Sequence, residues 1–151
     1  MTEWLALSAA LAAGWFSNRY AWWRKPVDLR HPRVLMYHMV SPHRPGAKFN
    51  GLRVPPERFE AQLDWLKRKG WTFFTVGELW AQWDELPEKS VAITFDDGYA
   101  DNLHNALPLL DKYDAKATIY IVVDRHDRDW STAKKAHHNT GELAREPKLS
   151  D

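Results

Sequence analysis

Two adjacent carboxylates, Asp96 and Asp97, are the residues of this sequence best suited to chemistry. They directly follow the apolar run 90–95 (SVAITF), and Gly98 comes next. Neighbouring residues on an extended strand point in opposite directions, but a glycine permits a sharp turn that would bring both carboxylates to one pocket. Two carboxylates this close repel each other, and a bound metal cation relieves that repulsion. One Asp could then be a metal ligand while the other accepts a proton from a metal-bound water.

A structural role is the first alternative for this pair. An Asp shortly before a helix often caps it, and a helix is predicted to begin near Tyr99. A phosphatase of the haloacid dehalogenase type is a second alternative. It is disfavoured because its two carboxylates are two residues apart, whereas Asp96 and Asp97 are adjacent.

Alternating strands and helices are predicted to position the carboxylates. Short apolar runs predict strands, and apolar residues at helical spacing predict helices. The predicted strands are 34–40, 71–76, 90–95 and 117–123, and the predicted helices are 56–69, 78–83 and 99–113. Strands separated by helices indicate an α/β fold with a parallel sheet. Sites of such folds lie at the carboxyl ends of the strands, which is where the two carboxylates stand.

The helix predicted at 99–113 contains a proline. Leu103, Leu107 and Leu110 are predicted to form its buried face, and Pro108 to kink it or to mark a boundary. The segments 41–54 and 124–151 are predicted to be loops, the second with room for a short helix.

Five stretches of this sequence resemble one family. Residues 95–99 (FDDGY), preceded by 92–94 (AIT), resemble the first motif of the polysaccharide deacetylases, which are the NodB-homology proteins of carbohydrate esterase family 4. The other similar stretches are 35–40 (LMYHMV), 59–66 (FEAQLDWL), 105–110 (NALPLL) and 116–120 (KATIY). The resemblance covers about residues 33–123. It implies the N-terminal half of a distorted (β/α) barrel, preceded here by an N-terminal hydrophobic helix.

The resemblance also implies an activity and roles for single residues. The family removes acetyl groups from sugars, so the implied partner is an acetylated amino-sugar polymer or a lipid-linked glycan. Asp96 matches the family's catalytic base, and Asp97 matches its carboxylate ligand for a divalent metal, expected to be zinc. His38 lies on the first strand and is a candidate pocket residue, with a hydrogen-bonded core histidine as the alternative.

The sequence departs from the family in its histidines. The family's second motif, His-Ser/Thr-x-x-His, is absent, because His137 and His138 are followed by Gly141 and Glu142 at the spacing where a second ligand would stand. These two histidines and His126 are therefore predicted to be solvated. Residues 26–151 are interpreted as a deacetylase domain truncated at its C-terminus and inactive by itself. The alternative is a non-catalytic, membrane-anchored glycan-binding module, which would need no metal.

The N-terminal segment is apolar and uncharged from Trp4 to Phe16, with Arg19 and further cations after it. Residues 1–25 are predicted to form a membrane anchor or a signal-like helix, with membrane contact through residues 4–23. A signal peptide would need positive charge at its start, and the apolar run is shorter than the roughly 20 residues of a full span. A helix docked on the domain is the remaining alternative. The expected location is a bacterial inner membrane, with the side left open.

Composition excludes other classes of function. Lys and Arg number 21 and Asp and Glu number 20, so the net charge of +1 provides no basic field for nucleic acid. The chain has no cysteine, which excludes disulfides, thiolate metal sites and a thiol nucleophile.

Overall fold

The computed structural model describes residues 2–21, 23–122 and 142–149. The predictions made for His126, His137 and His138 lie outside these residues.

A parallel sheet of four strands forms the centre of the structure. Strand β5 (Ser90–Asp96) is its middle strand and is buried along almost its whole length. Strand β1 (Arg33–Tyr37) pairs with one side of β5, while β4 (Thr72–Phe74) and β6 (Ala117–Tyr120) follow each other along the other side. The continuous apolar sequence of β5 is explained by this position, because a central parallel strand is covered on both faces. The predicted α/β class with a parallel sheet is confirmed.

The helices connect these strands. They are α1 (Thr2–Tyr20), α2 (Pro56–Arg68), α3 (Val76–Ala81) and α4 (Leu107–Lys112), with a π-helix at Asn102–Ala106 and short 3-10 turns at Asn50–Leu52, Trp83–Glu85 and Glu142–Arg145. Helix α2 agrees with its prediction to within one residue. Its apolar positions Phe59, Leu63 and Leu66 are buried and pack against β5 in the main core.

The strand predicted at 34–40 is broken, and this prediction is corrected. Strand β1 ends at Tyr37, and after His38 the chain continues as β2 (Met39–Val40), which pairs with β3 (Arg53–Val54) in a separate two-stranded sheet. The apolar run is continuous in sequence, but its two halves pair with different partners. The segment 41–54, predicted to be a loop, therefore ends in a strand.

The segment predicted as one helix at 99–113 consists of two helical forms. A π-helix ends at Ala106, and α4 begins at Leu107 with Pro108 in its first turn, so Pro108 marks a boundary as predicted. The predicted buried face is wrong in part. Leu110 is buried, but Leu103 and Leu107 are 48% and 42% exposed, and Asn102 and Ala106 are buried in their place. The wider π turn changes which residues face the sheet.

Helix α1 carries a largely exposed set of apolar side chains. Its exposed large residues are Trp4, Leu5, Leu7, Leu11, Trp15, Phe16 and Tyr20. Among the described residues, the structure contains no helix with both the length and the apolarity needed to cross a membrane.

Candidate active site

The two carboxylates lie at the end of the central strand. Asp96 is the last residue of β5, and Asp97 and Gly98 form the turn that follows. Both turn residues have positive φ, 67° for Asp97 and 54° for Gly98. The predicted sharp turn is therefore present, and it begins one residue before the glycine. Asp tolerates the left-handed region better than most residues, but the conformation still carries strain, and strain of this kind is common at functional sites.

Neither carboxylate is the N-terminal boundary residue of the following helix. The π-helix begins at Asn102, with Asp101 before it. Asp96 and Asp97 are therefore too far upstream to fill the capping position that the alternative interpretation requires.

The last pair of the β1–β5 register directly precedes His38 and Asp96. Tyr37 pairs with Phe95, His38 and Asp96 are the next residues along the two segments, and Asp96 itself pairs with Tyr120. The rings of Tyr37 and Phe95 lie 5.8 Å apart and both contact Phe59 of α2. Because side chains alternate along a strand, Asp96 and Tyr120 belong to the opposite face, away from α2. His38 and both carboxylates are half-buried.

The segment 146–149 pairs with the carboxylate turn. The Leu149 N–H donates to the Gly98 carbonyl at 2.9 Å, and the Ala100 N–H donates to the Pro147 carbonyl at 3.0 Å. Between these bonds Tyr99 and Lys148 form an antiparallel bridge. Tyr99 is buried in a second core cluster with Met39 and Leu143. The turn is thus held by backbone hydrogen bonds to this segment.

A buried ion pair anchors this segment. The Arg53 side chain is fully buried, and its Nη2 lies 2.6 Å from Oε1 of Glu146, whose side chain is 6% exposed. Arg44 also pairs with Glu146 but is 57% exposed. Asp101 lies in the same region, where burial raises the pKa of its carboxyl.

Two asparagine amides join the π-helix to the break between β1 and β2. Asn102 Nδ2 donates to the His38 carbonyl at 2.9 Å, and Asn105 Nδ2 donates to the Val40 carbonyl at 2.7 Å. No role was predicted for these residues. The one signal in the sequence is that Asn102, Ala106 and Leu110 are spaced four residues apart, as on one face of a helix.

The described residues offer only part of a metal site. Asp97 and Asp96 supply carboxylate oxygens, which are suitable ligands for a divalent cation. Within residues 2–21, 23–122 and 142–149, however, no three His, Asp or Glu side chains are grouped so that they could hold a metal ion. A catalytic zinc usually has three protein ligands, so a zinc site here would need imidazoles beyond the described residues.

Comparison with known proteins identifies the family. The sequence model for polysaccharide deacetylases matches residues 83–144, which include the carboxylate turn. Over part of its length the chain thus matches the polysaccharide deacetylase family. YxkH of Bacillus subtilis, a protein named for polysaccharide deacetylation, is 43% identical over 105 residues, which are 68% of this chain and 35% of that relative.

Two other deacetylases are also similar to this chain. The poly-beta-1,6-N-acetyl-D-glucosamine N-deacetylase of Staphylococcus aureus is 37% identical over 71 residues, 46% of this chain and 24% of that protein. The solved structure of the Streptococcus pyogenes deacetylase PplD in complex with acetate matches with a TM-score of 0.56 and 31% identity, covering 76% of this chain and 54% of that one. The chain thus spans about a quarter to a third of the length of these two relatives.

Proposed function

We propose that this protein is a metal-dependent hydrolase that removes acetyl groups, N-acetyl groups in particular, from a polysaccharide or glycolipid. The observation that supports this most directly is the pair Asp96 and Asp97 at the carboxyl end of the central strand, on a strained turn within the residues that match the family. The substrate class follows from the relatives, one of which is named for deacetylating a polymer of N-acetylglucosamine.

In this proposal the two carboxylates have different roles. Asp97 is a ligand of the divalent metal, taken to be zinc, with two imidazoles of the family's second motif as the other ligands. A bound zinc lowers the pKa of a water molecule and polarises the acetyl carbonyl. Asp96 accepts the proton of the water that attacks the acetyl carbon. The carbon–nitrogen bond then breaks as the nitrogen takes up a proton, and acetate and a free amino sugar are released. His38 lines the pocket beside Asp96.

The proposal is tested with a form of the protein extended beyond residue 151 by a segment that carries His-Ser/Thr-x-x-His, called the extended form below. We expect it to release acetate from oligomers of N-acetylglucosamine with zinc, to lose this activity with a chelator, and to regain it when zinc is restored. The 151-residue chain should release none. An extended form that binds the oligomers equally well with and without metal, and releases no acetate, would instead favour the glycan-binding module.

We also propose that residues 4–23 bind the protein to a bilayer, as expected for an enzyme at a bacterial inner membrane. The exposed apolar side chains of α1 support association, and the proposal does not require the helix to cross the bilayer. We expect the chain to sediment with phospholipid vesicles and a form lacking residues 1–25 to stay in solution with an unchanged circular dichroism spectrum. Trp80→Ala, which removes a tryptophan that is 83% exposed elsewhere, is the control and should sediment normally. Recovery of the intact chain in the soluble fraction would refute membrane binding.

A further inference from the structure

The chain changes its pairing partner at His38, and this leaves backbone carbonyls to be satisfied. Residues up to Tyr37 pair with β5, and residues from Met39 pair with β3. His38 therefore belongs to neither sheet. A buried carbonyl at such a position needs a hydrogen-bond donor from elsewhere, because an unpaired one would be costly.

The donors are the two asparagines of the π-helix. Asn102 Nδ2 bonds the His38 carbonyl at 2.9 Å and the Asp101 carboxylate at 3.2 Å, so both of its N–H groups are used. Asn105 Nδ2 bonds the Val40 carbonyl at 2.7 Å. One turn of a neighbouring helix thus fixes the backbone on both sides of Met39.

The π-helical form is related to these contacts. The Leu107 N–H bonds the Asn102 carbonyl five residues back, which is the π pattern. Pro108 has no N–H to donate to the His104 carbonyl, and its ring would collide with that carbonyl in a regular α-helix, so a wider turn just before it relieves the clash. Such π turns often occur at functional sites.

The amide of Asn102 uses its donor group but not its acceptor. Its side chain is buried, with the residue 2% exposed, and its Oδ1 has no hydrogen-bond partner among the described residues. A buried acceptor without a partner is destabilising. The hydrogen bonds that Nδ2 donates to the His38 carbonyl and the Asp101 carboxylate oppose this cost.

We propose that Asn102 and Asn105 are positioning residues, which hold the break between β1 and β2 so that His38 stays beside Asp96 at the carboxyl edge of the sheet. This rests on the proposed function in one respect, because it takes that edge to be the active site. The register supports this placement up to the pair Tyr37 and Phe95, after which His38 and Asp96 are the next residues along the two segments.

The test reads His38 directly by nuclear magnetic resonance in the 151-residue chain. Asn102→Leu keeps the branched shape of the side chain and removes the donor. We expect the carbonyl ¹³C signal of His38 to move upfield and its ring signals to shift. With Asn102 intact, Asp96→Asn should also shift the His38 ring signals, because the proposal holds His38 beside Asp96. In the Asn102→Leu background this response to Asp96→Asn should be lost.

Asn105→Leu is the matched control. It removes the bond to Val40, so it should move the Val40 carbonyl signal and affect the His38 ring less than Asn102→Leu does. The buried methyl groups of Ile93 report whether the sheet is intact. Asn102→Asp, which also removes the donor, serves as a second variant if Asn102→Leu does not fold.

Two results would overturn the proposal. One is that the His38 signals stay in place in the Asn102 variant that folds. The other is that neither Asn102 variant folds while Asn105→Leu does, which would make the amide a requirement of folding rather than of placement. Neither metal nor substrate is present in this experiment, so its failure is distinct from a failure of the proposed deacetylase activity.

Discussion

We expect Asp96→Asn to lower kcat for acetate release by the extended form by about 10²- to 10⁴-fold, the usual contribution of a general base. An amide cannot accept the proton of the attacking water, although it has nearly the size of the carboxylate it replaces. Zinc should still bind, because Asp96 is not proposed as a ligand. The measurements are steady-state kinetics with an acetylated oligosaccharide and the zinc content of the purified variant.

Asp97→Asn provides the contrast that separates the two roles. It should lower zinc content and activity together, and added zinc should restore part of the activity. Asp111→Asn is the control, since Asp111 is an exposed carboxylate on α4 and its substitution should change neither quantity. Near-normal turnover of Asp96→Asn would show that the assigned base is wrong.

The second large effect is expected at the buried ion pair. Glu146→Gln removes the charge that pairs with the fully buried guanidinium of Arg53. Leaving one charge of a buried pair uncompensated costs about 3–5 kcal/mol, a large part of the 5–15 kcal/mol by which folded domains are stable. We therefore expect the free energy of unfolding in urea to fall by about this amount, with release of the segment 142–149 from the carboxylate turn.

Two further variants test whether burial of the ion pair causes the expected fall in the free energy of unfolding. Arg44→Met removes the other partner of Glu146, which is 57% exposed, so it should cost no more than about 1 kcal/mol. The double variant Arg53→Met with Glu146→Met should be more stable than Glu146→Gln, because no buried charge is left unpaired. A loss below about 1 kcal/mol for Glu146→Gln would mean that Arg53 finds water or another partner.

The sequence predicted the carboxylate turn because every signal for it is local. An uninterrupted apolar run predicts a central strand, and the glycine at position 98 predicts the turn after it. Helix α2 was predicted for similar reasons, with its apolar stripe inside and Pro56 and Gly70 at its limits. Pro108 predicted a boundary in the later helix because its ring excludes a regular hydrogen bond.

The break at His38 could not be predicted in this way. The run 34–40 has one pattern, and only the pairing of Met39 and Val40 with residues 53–54 splits it. The buried face of the helix after the turn was missed for a related reason. The prediction assumed α-helical spacing, whereas a π turn brings Asn102 and Ala106 to the sheet and leaves Leu103 partly exposed.

The sequence by itself thus predicted the resemblance to the family, the α/β class and the position of the two carboxylates directly after a strand, because each depends on residues close together in the chain. The tertiary structure alone decided which polar side chains pair with one another around the carboxylate turn and the break at His38. Asn102 reaches the carbonyl of His38 across 64 residues, and Arg53 is buried against Glu146 across 93. Arg53 and Glu146 lie in the segments 41–54 and 124–151, which were predicted from the sequence to be loops. They are buried because folding brings their opposite charges together where water is excluded. The local sequence around either residue does not indicate this long-range contact.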